Sequence, residues 1–141
     1  MQKIHFYFHD RNPILKDRKK LKVYIENLFI SEKKGFKTLA YIFCSDKYLL
    51  EINKGFLKHD FYTDVITFDL SEIKTEIEGE IYISIDRINE NAKGMGISFT
   101  DELHRVIFHG ALHLCGYKDK NKTDQSRMRL AENRYLKQYF K

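Results

Sequence analysis

The chain has 141 residues, 43% apolar and 14% aromatic, which excludes a disordered polypeptide and fits one globular domain over residues 1–141. Its 25 lysines and arginines outnumber 20 aspartates and glutamates, and the resulting charge of +5 leans toward an acidic partner such as RNA. No run reaches the ~20 apolar residues of a membrane span, no signal-peptide pattern opens the chain, and Cys44 and Cys115 are too few for a disulfide framework, so a cytoplasmic protein with reduced thiols is expected.

In chain order, Ile4, Phe6 and Phe8 alternate with His5, Tyr7 and His9, the period of a strand. Asn12-Pro13 reads as a helix cap with proline at the first helical position, and Leu21, Tyr24, Ile25, Leu28 and Phe29 keep helical spacing to about Ser31. The other face of that helix carries Lys16, Arg18, Lys19, Lys20 and Lys22; it reads as a solvated face, with phosphate contact as the sharper alternative. A second strand covers 36–44, and Ser45 or Asp46 caps a short helix with Tyr48, Leu49, Leu50 and Ile52. Residues 54–62 read as a loop, 64–68 as a third strand, 71–78 as a polar connection and 80–85 as a fourth strand. Asp86 is placed to cap a helix that Gly94 and Gly96 break. Thr100 precedes two acids and opens a further helix, and Thr123 starts the last. The order β-α-β-α-β-β-α-α-α predicts an α+β fold: a mixed four-stranded sheet packed with about five helices, with a metal site on a central helix.

That central helix carries His109 and His113. At 3.6 residues per turn they lie ~40° apart on one face, one turn from each other, and two such imidazoles can share an ion. Gly116 turns the chain so that Asp119 can close on the same ion. Two core histidines bonded to backbone carbonyls are the plainer alternative. The residue after His109 is Gly110, so the H-E-x-x-H signature of zinc proteases fails. His104, five residues before His109, points ~140° away and reads as structural or exposed. Cys115 reads as a small core residue. Lys118, Lys120 and Lys122 flank Asp119 and can attract phosphates, or form a solvated loop; Phe61 and Tyr62 can stack on bases, or pack in the loop.

His109-Gly110-Ala111-Leu112-His113-Leu114-Cys115-Gly116-Tyr117 resembles the H-G-x-L-H-L-x-G-Y signature of the YbeY endoribonucleases, a family of ribosomal RNA maturation factors. Asn53, the block Thr63-Asp64-Val65-Ile66-Thr67-Phe68, and Gly79-Glu80-Ile81-Tyr82-Ile83-Ser84 extend the likeness over roughly residues 45 to 135. The resemblance implies a helix-rich α+β domain and a metal-dependent nuclease acting on single-stranded RNA, in small-subunit ribosomal RNA maturation and ribosome quality control. It implies one Zn²⁺, or another divalent ion, on His109, His113 and Asp119, with Asp119 standing where the family has a third histidine. A two-histidine, one-carboxylate set suits zinc and also iron or manganese. Leu57 takes the place of a family arginine, and Lys58 beside it is the substitute charge, without the bidentate fork. The reading assigns catalysis to His113 and Lys58, substrate binding to Lys118 and Lys120, and RNA or the small ribosomal subunit as partner. The alternative is a non-enzymatic RNA-binding assembly factor with a structural metal.

Overall fold

The computed structural model describes residues 3–141. Its sheet has the order β1-β2-β4-β3. β1 (Ile4–Phe8), β2 (Phe36–Cys44) and β4 (Ile77–Ser84) run parallel, and β3 (Val65–Asp69) lies antiparallel at the edge beside β4. The expected α+β architecture, a mixed four-stranded sheet with five helices, is what forms.

Strand alternation divides the apolar residues between the two faces. Leu39, Tyr41, Phe43, Ile81 and Ile83 point to the main core, under α1 (Arg18–Ser31) and α4 (Phe99–Leu114). Cys44 and Ile66 point the other way and meet Leu49 and Ile52 of α2 (Asp46–Leu57) in a smaller cluster. The burial of α4 on the sheet is set by small residues. A Cβ on Gly110 would come within 2.8 Å of Ile81, and one on Gly79 within 2.8 Å of a Leu114 methyl carbon, so at each contact a glycine on one element makes room for the side chain of the other. The fully buried Tyr41 hydroxyl donates to the Ile107 carbonyl at 2.8 Å, which pins the helix to β2. α3 (Ile85–Met95) and α5 (Lys122–Tyr139) pack against α4 from its sides.

Several boundaries differ from the sequence reading, each for a local reason. α1 begins at Arg18, not at Pro13: Asp17 sits in the left-handed region (φ 53°, ψ 49°), and the buried stripe that stabilises the helix starts only at Leu21. α2 continues through the expected loop to Leu57, because Lys58 adopts the left-handed conformation that closes a helix end, and the backbone N–H of His59 reaches back to the Asn53 carbonyl at 3.0 Å. The buried Asn53 amide then donates to the Phe61 carbonyl at 2.9 Å, tying the 58–62 segment to the helix. β4 starts earlier, at Ile77, where it already pairs with Phe36. The helix caps are Ser84, Ser98 and Asn121, each accepting a backbone N–H three residues on; Asp86 and Thr100 lie inside their helices, and the last helix starts at Lys122, one residue before Thr123. Asp86 instead accepts from Arg11 and from the Asp46 backbone. No helix among the described residues is long and apolar enough to cross a membrane.

Candidate active site

Along α4 the polar residues Glu102, Arg105, His109 and His113 recur at helical spacing and form one stripe. The stripe faces an open cleft of about 1050 Å³, whose other walls are Thr63–Val65 at the head of β3, Asp119 in the 115–121 turn, and Met128, Arg129 and Glu132 of α5.

Both histidines are held through the same ring nitrogen. Nδ1 of His109 donates to Oε2 of Glu132 at 2.7 Å. Nδ1 of His113 donates to the Tyr117 carbonyl at 3.0 Å. A carbonyl only accepts and a carboxylate is the natural acceptor, so each ring keeps its proton on Nδ1 and offers the Nε2 lone pair. Nε2 of His109 stands 3.6 Å from Oδ2 of Asp119. Two donors on one ion at tetrahedral angles, with bonds near 2.1 Å, sit about 3.4 Å apart. That pair is thus close to coordinating spacing. No group of three His, Cys, Asp or Glu side chains among the described residues is drawn together as a ready-made ligand set. Of the two histidines His113 is the exposed one, on the same face of α4, one turn beyond His109. Nitrogen and oxygen donors with neutral imidazoles fit a borderline divalent ion such as zinc.

The supports of these three residues come from distant parts of the chain. Glu132 is nearly buried (4% exposed), and Arg105 Nη1 donates to its other oxygen at 3.1 Å. Burial lowers the proton affinity of His109, but the Glu132 hydrogen bond and the charges of Glu132, Asp119 and Asp64 outweigh it, and the net shift is upward. Tyr117, whose carbonyl orients His113, donates its hydroxyl to Glu32 at 3.0 Å; Tyr135 donates to the same carboxylate at 2.5 Å and Arg134 at 3.4 Å. The Asp119 carbonyl accepts from Gln125 at 3.2 Å, which fastens the turn to α5.

Two further carboxyls line the cleft. Burial raises Asp64, against the opposing charge of His109. Burial also raises Glu102, against Arg105, and Oε1 of Glu102 has no hydrogen-bond partner, its nearest cation being Arg105 Nε at 3.7 Å. The cations that line the cleft are Arg105, Lys122 and Arg129. Lys58, Lys118 and Lys120 are exposed and stand outside its lining, Lys58 as the end residue of α2 and the other two on either side of Asp119. His104 is buried, its Nδ1 donating to the Thr100 carbonyl at 2.7 Å, and Cys115 is a core thiol pushed by burial to about 12.

Glu102, Arg105 and Glu132 are the site residues that sequence reasoning missed. The first two were visible in principle: with His109 and His113 they occupy positions i, i+3, i+7 and i+11 of one helix face. Glu132 left only a weaker mark, an acid inside the buried stripe of Met128, Ala131 and Tyr135.

The family model described as Endoribonuclease YbeY matches residues 9–140. The Endoribonuclease YbeY of Cytophaga hutchinsonii is 47% identical over 133 residues, covering 94% of this chain and 93% of that protein. The protein of the same name from Porphyromonas gingivalis is 43% identical over 136 residues (96% and 89%), and that from Flavobacterium psychrophilum 50% over 114 residues (81% of each). Among solved structures, the solution structure of TM1509 from Thermotoga maritima superposes with a TM-score of 0.60 at 28% identity, over 96% of this chain and 89% of that one. With a family model matched from Phe8's neighbour His9 almost to the last residue, and relatives alike over nearly their whole length, the chain belongs to the Endoribonuclease YbeY family.

Proposed function

We propose that the cleft cuts single-stranded RNA with the help of one divalent ion, Zn²⁺ by the chemistry of its donors, held by His109, His113 and Asp119. Membership of an endoribonuclease family makes the chain a hydrolase acting on RNA phosphodiester bonds, and weighs against a purely structural RNA-binding factor. The observation that carries the metal reading is the shared tautomer: both imidazoles spend Nδ1 on the protein, and one free Nε2 stands 3.6 Å from the Asp119 carboxylate.

A bound ion would supply an acidified water and a positive charge beside phosphorus. The chain's own residues supply the rest. Glu132 keeps the His109 proton on Nδ1 and the Nε2 lone pair toward the cleft. Arg105, Lys122 and Arg129 draw the phosphate backbone in and offset charge that develops on the phosphoryl oxygens. Asp64 and Glu102, both raised by burial, are the wall carboxyls able to hold a proton for the leaving ribose oxygen. Lys58, Lys118 and Lys120 contact phosphates further along the strand, outside the cleft. Ribosomal RNA of the small subunit as the target, supported by the family resemblance, and the cytoplasm as the compartment, supported by the two unpaired cysteines, complete the proposal.

The test is cleavage of a single-stranded RNA by the purified protein, with and without chelator, beside His113→Ala. Loss of cleavage in both, and recovery of the chelated wild type on adding Zn²⁺, is the expected result. Cleavage that survives both treatments would overturn it.

A further inference from the structure

A second cavity, of about 620 Å³, opens on the flank of α4 turned away from the cleft. His104 and His109 are five residues apart, ~140° around the helix, so the two openings lie on different sides of it. Phe99, Tyr139 and Phe140 provide aromatic walls, and Lys16 and Lys20 stand at its edge with Asp17 as the one acidic lining residue. Lys20 Nζ lies 4.7 Å from the centre of the Tyr139 ring.

The feature that marks this cavity as a site is His104. Its side chain is among the most enclosed polar groups of the protein, 4% exposed. The ring stacks on Tyr139 (5.4 Å, 24°) and meets the edge of Phe140 at 4.9 Å. Nδ1 carries the proton that Thr100 accepts. Nε2 has no protein partner, yet it is not sealed off, and the residue lines the cavity. Burial holds the ring below its ordinary titration range, so Nε2 is a lone pair waiting for a donor. With no protein donor in reach, only water or a ligand in the cavity can donate to it.

We propose that this cavity binds a purine nucleotide of an RNA strand, with the base against the exposed ring of Phe140, a base N–H donated to Nε2 of His104, and the phosphate facing Lys16 and Lys20. Every part of the cavity has a counterpart in that ligand: flat rings for the base, an acceptor for its edge, cations for its phosphate. The volume lies within the roughly 300–1,000 Å³ of small-molecule sites. The proposal takes the identity of its occupant from the RNA reading of the cleft, and it adds a second attachment point that strengthens binding of strands long enough to reach both.

Adenosine 5′-monophosphate is the probe, titrated into the metal-free protein and followed by NMR of the histidine ring nitrogens and aromatic side chains. Saturable shifts at His104 Nε2, Tyr139 and Phe140 are expected, with ribose 5-phosphate and inorganic phosphate binding about tenfold or more weakly, as loss of base stacking requires. His104→Phe, which keeps an enclosed ring and removes the acceptor, is expected to weaken the nucleotide about tenfold. Should that variant fail to fold, Lys16→Ala with Lys20→Ala alters only the rim and is expected to weaken it similarly. Phosphate binding as tightly as the nucleotide, or shifts confined to His109 and His113, would overturn the proposal. No cleavage enters the measurement, so a protein that cuts RNA at the cleft and shows no response at His104 refutes this site alone.

Discussion

The carboxylate of Glu132 receives the Nδ1 proton of His109 across 2.7 Å. Because Arg105 occupies the other carboxylate oxygen at 3.1 Å, the glutamate cannot turn away, and the imidazole is fixed in one tautomer and one orientation. Glu132→Gln, close in shape but uncharged, is expected to lower zinc affinity about 10–100-fold, the usual cost of losing an outer partner of a ligating histidine. Competition against a chromophoric chelator measures it. Unchanged affinity would show that His109 does not bind the ion.

Asp119 stands where the resemblance places a histidine. Asp119→His is expected to retain zinc and RNA cleavage, because Asp119 Oδ2 already stands 3.6 Å from Nε2 of His109 and an imidazole from the same turn is an equally good zinc donor. It should also reduce the response to manganese, an ion that prefers carboxylate. Asp119→Ala should lose more affinity than Glu132→Gln does. Metal content after dialysis and cleavage across a series of divalent ions separate these outcomes.

Lys58 separates charge from backbone strain. It adopts φ 58°, ψ 31°, a conformation that glycine reaches without penalty, at the end of α2. Lys58→Gly is expected to raise stability by about 0.5–1 kcal/mol in denaturant unfolding. If the ammonium group also steers phosphates, the same variant slows RNA cleavage, and the deficit shrinks at high salt. A variant both more stable and fully active at low salt would remove Lys58 from the catalytic assignment.

Glu102 gives a pH test. Its folded-state proton affinity is raised by burial above the ordinary value of 4.5. The protonated form is therefore the one that suits the fold, and stability falls as pH rises through the folded value. Glu102→Gln removes that loss. Without metal, the variant is expected to exceed the wild type by about 1 kcal/mol at pH 7–8, the scale of one unsatisfied buried acceptor. The gap should close below pH 4.5. Thermal unfolding across pH measures it, and a gap that widens in acid would contradict the assignment.

The order of elements and the histidine pair were legible because each rests on short-range periodicity. Alternation along β1 and the four-residue step from His109 to His113 are properties of neighbouring residues. The start of α1 was not legible, since Asn12-Pro13 carries a good cap signal while the stripe that stabilises the helix starts at Leu21, and the tertiary term decides. The cleft's cations show the same limit. Lys118 and Lys120 adjoin Asp119 in sequence but lie outside the lining, whereas Arg105 and Arg129 reach it from two helices. Glu132 was hidden for a related reason: its partner lies 23 positions away on another helix, and no local pattern announces that pairing.

The anchoring of His109 by the last helix has a consequence for synthesis. A nascent chain in which α5 still occupies the ribosomal exit tunnel already contains both histidines and the aspartate, yet it lacks the acceptor that orients the first of them. The orientation of His109 is therefore settled only once α5 has emerged and docked on α4, so a chain still short of that helix carries the imidazole without its orienting partner.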